Sequence, residues 1–533
     1  MVMQGLSGVD LRDRDRACVP ERGSFYGARI DELMSAHPPG ACRSGCPAGV
    51  YGVGLASTPR RYVKVSRARD WCQLAGRLAV SPLMRRQAGR PARGFRHPGQ
   101  IIAGAFAAAV AVGTALLSLP LATVGPGRAD FLTALFHATS AVCVTGLVTV
   151  DTGTYWSGFG QAVILLCIQA GGLGIMTLAT LLALLLSRRL GLRARLIAQA
   201  ETKALSAADV RRVIRRVVVF SLGSEAVVAV VLATRFATGY GQPLPRATYY
   251  GVFHSVSAFN NAGFGLNADN LMQYVADPWI SLTICVAVIL GGLGFPVVFE
   301  LARSWRRPRT WSVLTRITVV VTVALLVLGT AGMLVAEGAN PATLGGLGAG
   351  GKVMAAFTAA VMPRTAGFNN LDIAAYRPET LLLNDALMFI GGGSAGTAGG
   401  IKVTTFGLLA YVLWAEMRGD PDVDVGRRRV PATNQRQALA VALLGIGVVA
   451  VATFLMEALS DFSFDQVLFE TISAFATVGL STGITADLPA AAQVLLVLLM
   501  YIGRIGPVTL ASGLALRERA RRHQLPEERT IVG

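Results

Sequence analysis

Between residues 100 and 516 the chain alternates long apolar runs with shorter apolar segments that each end on a glycine, and with arginine-rich links. The long runs fall at 101–121, 160–186, 213–234, 279–301, 317–337, 381–414, 438–459 and 492–516. Each approaches or exceeds the ~20 residues a helix needs to cross a bilayer. The short segments, at about ten to fourteen residues, are too short to span and have the length of re-entrant helices. The pattern predicts an all-α polytopic membrane protein with about eight transmembrane helices and four re-entrant ones.

The short segments share one plan. Phe136, Phe253, Phe357 and Phe469 each precede a glycine by ten positions (146−136, 263−253, 367−357, 479−469), and Leu147, Phe264, Phe368 and Leu480 follow it. The glycines are spaced by 117, 104 and 112 residues (263−146, 367−263, 479−367), a tandem repeat with varying loops. The expected organisation is a basic region over 1–98, repeats over 99–200, 201–310, 311–430 and 431–516, and a tail over 517–533. Each repeat is a span, a re-entrant segment and a second span.

Composition sharpens this. Hydrophobic residues make up 53% and charged residues 15% of the 533, against about 25% charged in soluble domains. The formal charge of +18 comes from 49 basic and 31 acidic residues. The basic residues collect in the N-terminal region and in the links: Arg188, Arg189, Arg193, Arg195, Arg211 and Arg212; then Arg303, Arg306, Arg307 and Arg309; then Arg427, Arg428 and Arg429; then Arg517, Arg519, Arg521 and Arg522. Positive-inside bias puts these links and both termini in the cytoplasm and the chain in the plasma (inner) membrane, among its lipids. No basic stretch carries a nucleic-acid-reading motif, so no nucleic acid is expected as a partner. Residues 1–98 hold no run of spanning length. They read as a disordered cytoplasmic region without assigned function, or in part as sequence ahead of a start at Met34 or Met84. The seven cysteines give no disulfide or zinc framework: Cys42 and Cys46 lack a second ligand pair, and Cys143 reads as packing.

Non-helical backbone at membrane depth persists only where protein buries it or where it lines a water-filled cavity. Four repeated turns meet that condition together by surrounding one axis. Glycine admits positive φ, so carbonyls of Val144, Thr145 and Gly146, of Asn261, Ala262 and Gly263, of Thr365, Ala366 and Gly367, and of Thr477, Val478 and Gly479 can face inward as an oxygen ring, the device of potassium filters. The turns carry no carboxylate, which suits a monovalent alkali cation better than calcium. The partly negative C-terminal ends of the preceding helices favour a cation too. Close helix packing is the simpler reading of any one glycine, but four copies at one offset count against it. Asp151, Asp372 and Asp487 follow the turns and suggest a mildly acidic outer mouth. His137 and His254 occupy equivalent places and read as polar caps on buried helices rather than a proton relay.

A second glycine set lies 24 to 28 residues beyond the first (171−146, 291−263, 391−367, 503−479). Gly171-Gly172-Leu173-Gly174, Gly291-Gly292-Leu293-Gly294 and Gly503-Arg504-Ile505-Gly506 read as close helix packing. The third copy, Gly391, Gly392 and Gly393, continues through Ser394, Gly396, Gly399 and Gly400 to Lys402, where each glycine costs about 1 kcal/mol in helix propensity. That span is expected to break and form a gate across the pore. It lacks the Gly-Lys-Ser/Thr of a phosphate-binding loop. Arg504 stands where the other copies have glycine. An arginine at that depth predicts a barrier or a latch, with a ring carbonyl, the broken span or Glu470 as partner. For Lys402, reach to cytoplasmic water competes with a gate role.

The segments Ser140 to Leu147, Ser257 to Phe264, Pro363 to Phe368 and Ser473 to Leu480, with the glycine-rich loop ending at Lys402, resemble the membrane subunit of the Trk/Ktr/HKT superfamily of potassium transporters over residues 100–516. The absence of two further leading spans resembles the KtrB type more than the TrkH type; the long basic N-terminus departs from both. The resemblance implies a pseudo-fourfold pore, a homodimer, and a cytosolic nucleotide-binding regulatory ring of the KtrA/TrkA kind. It also implies filter positions at the four turns named above, a gate loop from Gly391 to Lys402 and a pore arginine at Arg504. The chain is then a channel-like potassium uptake protein rather than an enzyme. It has no catalytic residues and no bound cofactor or other metal; potassium is the substrate and sodium a second candidate. A sodium- or proton-coupled secondary transporter would instead carry inverted repeats and a midplane site, whereas the arginine links orient all four units alike. A scaffold without transport leaves the four turns unexplained.

Overall fold

Each unit begins with a long helix, descends through a short one and leaves by a second long path. Residues 98–187 and 207–516 are described in the structure, a computed structural model. The expectations for the N-terminal region, for Arg188 to Arg195 and for Arg517 onward lie outside the described residues. Unit one comprises α1 (Pro98–Leu117), α2 (Phe131–Cys143) and α3 (Gly158–Ser187). Unit two comprises α4 (Ala207–Tyr240), α5 (Leu244–Phe259), α6 (Pro278–Leu293) and α7 (Phe295–Ser304). Unit three comprises α8 (Val313–Glu337), α9 (Ala349–Val361), α10 (Pro378–Phe389) and α11 (Val403–Arg418); unit four comprises α12 (Ala432–Leu459), α13 (Phe464–Ala476) and α14 (Ala490–Leu516).

Local chemistry sets several starts. Asp130 accepts the Leu132 amide at 3.0 Å at the head of α2, Ser312 accepts the Thr315 amide at 3.2 Å at the head of α8, and Ser463 with Gln466 forms a capping box on α13. A cap of this kind contributes about 1 kcal/mol. Pro278 and Pro378 open α6 and α10, where a missing N–H costs nothing.

The surface of the long helices is more apolar than that of a water-soluble protein, and the short helices bury polar groups. Val227, Val327 and Phe454 on the first spans are 65%, 61% and 73% exposed, while His137, Thr139, Ser255 and Glu470 on the short helices are at most 1% exposed. An apolar exterior, with polar side chains kept inside beside an apolar core, is what lipid as solvent selects. Residues 212–240, α8 and α12 are unbroken helices long and apolar enough to cross a bilayer. A two-residue antiparallel hairpin, β1 (Asp424–Val425) and β2 (Arg428–Arg429), turns at Gly426 in the link between units three and four. The fold is otherwise helical among the described residues.

One expected span is not continuous. The run 279–301 splits at Gly294, φ +85°, with α6 and α7 bent by 102°. Pro296 is the cause readable in the sequence: it has no N–H for the Gly292 carbonyl four residues earlier. Gly292 O instead accepts the Gly393 amide at 2.7 Å, and Gly291 O accepts the Thr397 amide at 3.2 Å. Unit three's second path therefore repairs the broken helix of unit two. Between α10 and α11 the chain is non-helical over 390–402. Its neck is closed by Gly391 N to Ile401 O at 2.8 Å and Val403 N to Gly392 O at 3.0 Å.

Candidate functional site

The four short helices end two or more residues ahead of their glycines and share a backbone course that four sequences impose separately. Val144, Asn261, Thr365 and Thr477 take φ of +55°, +59°, +66° and +51°; two residues later Gly146, Gly263, Gly367 and Gly479 take +103°, +71°, +74° and +97°. Glycine pays little for positive φ, but a β-branched residue there is strained. The strain is held by hydrogen bonds that recur in three units. Thr145 N, Ala262 N and Val478 N each donate at 2.8 Å, to Ser140 O, Ser257 O and Ser473 O. Unit three differs: Ala366 N reaches Met362 O at 3.0 Å. The left-handed residue ahead of the glycine was missed by sequence reasoning, and only Asn261 carries a signal for it.

The turns meet in cyclic order. A Cβ on Gly146 would stand 2.5 Å from Ala262 O, and one on Gly263 would stand 2.8 Å from Gly367 Cα and 3.0 Å from Ala366 O. From Gly367 it would meet Val478 O and stand 3.2 Å from Gly479 Cα; from Gly479 it would meet Thr145 O and stand 2.9 Å from Gly146 Cα. Backbone thus touches backbone around a closed ring, which excludes side chains independently of φ. The hydroxyls of Thr145, Thr365 and Thr477 are buried and have no hydrogen-bond partner among the described residues.

Outside the ring lies a cavity of about 280 Å³ lined by all four glycines with Asp151, Asn267, Asn369 and Ser481. Of the three aspartates expected at the mouth, Asp151 lines it and also accepts the Thr154 amide at 2.7 Å. Asp372 and Asp487 are exposed and do not line it, although their chain neighbours Ile373 and Ala486 do. The position nine before each glycine holds His137, His254, Thr358 and Glu470. His137 joins its helix to the outgoing segment through Val150 O at 3.2 Å. Glu470 does so through Ser481 Oγ, Thr482 N at 3.1 Å and Thr485 Oγ1 at 3.0 Å. Among the described residues His254 hydrogen-bonds only its own helix, at Tyr250 O, 2.8 Å.

The second glycine set packs on the short helices. A Cβ on Gly171, Gly291 or Gly503 would meet Val142 O, Phe259 O or Phe475 O, in each case the carbonyl four residues before the turn glycine. In unit three Gly391 packs on its own loop at Gly399 O. That loop lies against the turns: Thr397 Oγ1 donates to Asn261 Oδ1 at 3.2 Å, and Gly399 and Gly400 abut Thr477 and Ala476.

Arg504, 2% exposed, donates to Thr397 O and, at 3.4 Å, to Gly171 O. Of its three expected partners the broken span is the one it reaches. Glu470 is occupied by the outgoing segment of its own unit, and the Gly171 contact was not foreseen. Lys402, half-buried, folds back on the loop, donating to Ala398 O and, at 3.2 Å, to Gly399 O. Sequence reasoning left Arg364 without a role. It is buried, and its Nη2 donates to Gly391 O at 3.3 Å and Thr322 Oγ1 at 3.4 Å, tying the third turn to the neck of the loop. An arginine inside an apolar segment was the available signal.

Four span, short-helix and span units around one ring of backbone turns define a polytopic membrane protein. The chain belongs to the TrkH family of cation transport proteins, whose family model matches residues 82–517. It is 39% identical over 423 residues to Ktr system potassium uptake protein B of Bacillus subtilis (strain 168), covering 79% of this chain and 94% of that protein. It is 38% identical over 435 residues to the Vibrio alginolyticus protein of the same name, covering 81% and 94%. The crystal structure of the potassium transporter TrkH from Vibrio parahaemolyticus shares the fold, with a TM-score of 0.59 at 17% identity over 79% of this chain and 85% of that one.

Proposed function

We propose that this chain takes up potassium through the ring of four turns, with the loop from Gly391 to Lys402 and Arg504 as its gate. The observation that carries the reading is the cyclic backbone contact of Gly146, Gly263, Gly367 and Gly479. A closed set of carbonyls and buried threonine hydroxyls, with no carboxylate in the turns, suits a dehydrated monovalent cation. The names of the two relatives, both potassium uptake proteins, support potassium over sodium as the main cargo.

Flow is passive, and an inside-negative potential contributes about 2.3 kcal/mol per charge per 100 mV. The gate acts by position. The loop is tied to the second turn through Thr397, to the third through Arg364 and to the fourth through Gly399, so it must leave all three to open. The relatives belong to a system, and this chain accordingly works with a cytosolic nucleotide-binding ring and as a homodimer, with both termini in the cytoplasm. The cyclic order of the units argues against inverted halves. Rubidium uptake in cells lacking their own potassium uptake, with sodium varied and with and without the cytosolic partner, tests the proposal. Saturable uptake is expected, and its absence under every condition sinks the transport reading.

A further inference from the structure

A cation pathway bordered by basic groups needs negative charge nearby. Arg364, Arg504 and Lys402 all approach the turns or the loop, and among the described residues none is paired with a carboxylate. The turns themselves are neutral. At the middle of α4, however, the run from Val217 to Thr234 is apolar or small except for Glu225, nine residues from Arg216 and ten from Arg235. A carboxylate at that depth is costly and by default functional.

Glu225 is 5% exposed and its oxygens are held by neutral donors alone. Ser221 Oγ lies at 3.0 Å, Gln169 Nε2 at 3.1 and 3.2 Å, and Asn260 Nδ2 at 3.2 Å. All of these contacts make the carboxyl an acceptor, which is compatible with its ionised form. Asn260 also donates to Gln169 Oε1 at 2.9 Å, and Ser255 Oγ binds the Glu225 carbonyl at 2.5 Å. The cluster thus joins α3, α4 and the end of α5. Gly172 makes room for it, since a Cβ there would overlap Asn260 Oδ1. Asn260 directly precedes Asn261, the left-handed residue of the second turn. The same place, three before the turn glycine, holds Arg364 in the neighbouring third unit and uncharged Cys143 and Ala476 in the others. A negative backing of turn two therefore stands beside a positive backing of turn three.

We propose that Glu225 is a charged positioning residue for the ring: it fixes the second turn through Asn260, and its charge offsets the basic groups of the gate so that a monovalent cation can occupy the ring. This rests on reading the ring as a cation filter. Wild-type rubidium uptake by the full chain, measured in the same cells, tests that reading separately. Against an active wild type, Glu225→Gln should raise the half-saturating rubidium concentration on the order of tenfold while the maximal rate stays within about twofold. Glu225→Asp, which keeps the charge, should fall between. Gln169→Lys places an ammonium beside the carboxylate and should raise half-saturation in the same direction. Should Glu225→Gln fail to reach the membrane, Gln169→Lys decides alone. Unchanged half-saturation at equal membrane abundance, whether with normal or lowered maximal rate, assigns Glu225 to packing and overturns the proposal.

Discussion

The ring of turns and the layer of second-span glycines packed on the short helices come from the same four repeats, yet they keep the repeat to different degrees. In the ring every copy has positive φ at the same two positions and touches its neighbour. In the second layer three copies pack a glycine on a carbonyl, whereas unit two kinks at Gly294, unit three opens over 390–402, and unit four carries Arg504. A spherical ligand is best met by equivalent groups on all sides. A gate needs one element that differs from the rest and a neighbour shaped to hold it.

The ring is the place to break symmetry with the largest effect. Gly479→Ala puts a side chain at φ +97° against Thr145 O and should cut rubidium uptake about 100-fold or more, because backbone of two units must part. Normal selective uptake would show that the contact does not define the pathway. In the second layer, Arg504→Gln weakens two charge-assisted bonds to buried carbonyls, each worth about 1.5–3 kcal/mol. It should raise resting uptake about tenfold, and a fall in uptake at equal membrane abundance would argue against a latch. Pro296→Ala gives Gly292 O back a helical donor that competes with Gly393 N; uptake should rise about threefold, and no change would mean that the kink is held by the loop alone. The smallest effect sharpens the view of the ring's outer support. His137→Phe removes the bond to Val150 O and should lower stability by about 1 kcal/mol, read as a drop in Tm of the purified protein with uptake near wild type. Loss of transport there would give His137 more than a capping role.

Much of this was legible from the chain. Span lengths, the ten-residue Phe-to-Gly offset and the period near 110 residues determined the number of units and which glycines are equivalent, because helix length and bilayer thickness are fixed quantities that a sequence must match. Pro296 was a kink signal in the sequence, but the apolar stretch on both sides of it read as one continuous span. Three features waited for the tertiary structure. Strained Val144, Thr365 and Thr477 are held by hydrogen bonds and neighbours, not by propensity. The partners of Arg504, Arg364 and Lys402 are backbone carbonyls, which every residue offers alike. Glu225 meets Asn260 only because α4 packs against the end of α5. The sequence by itself determined the repeat and its turns, since periodicity and glycine are local properties. Which carbonyl meets which donor, and where the Glu225 carboxylate sits relative to the ring, was decided by the fold, because those contacts join residues far apart in the chain, 333 positions for Arg504 and Gly171.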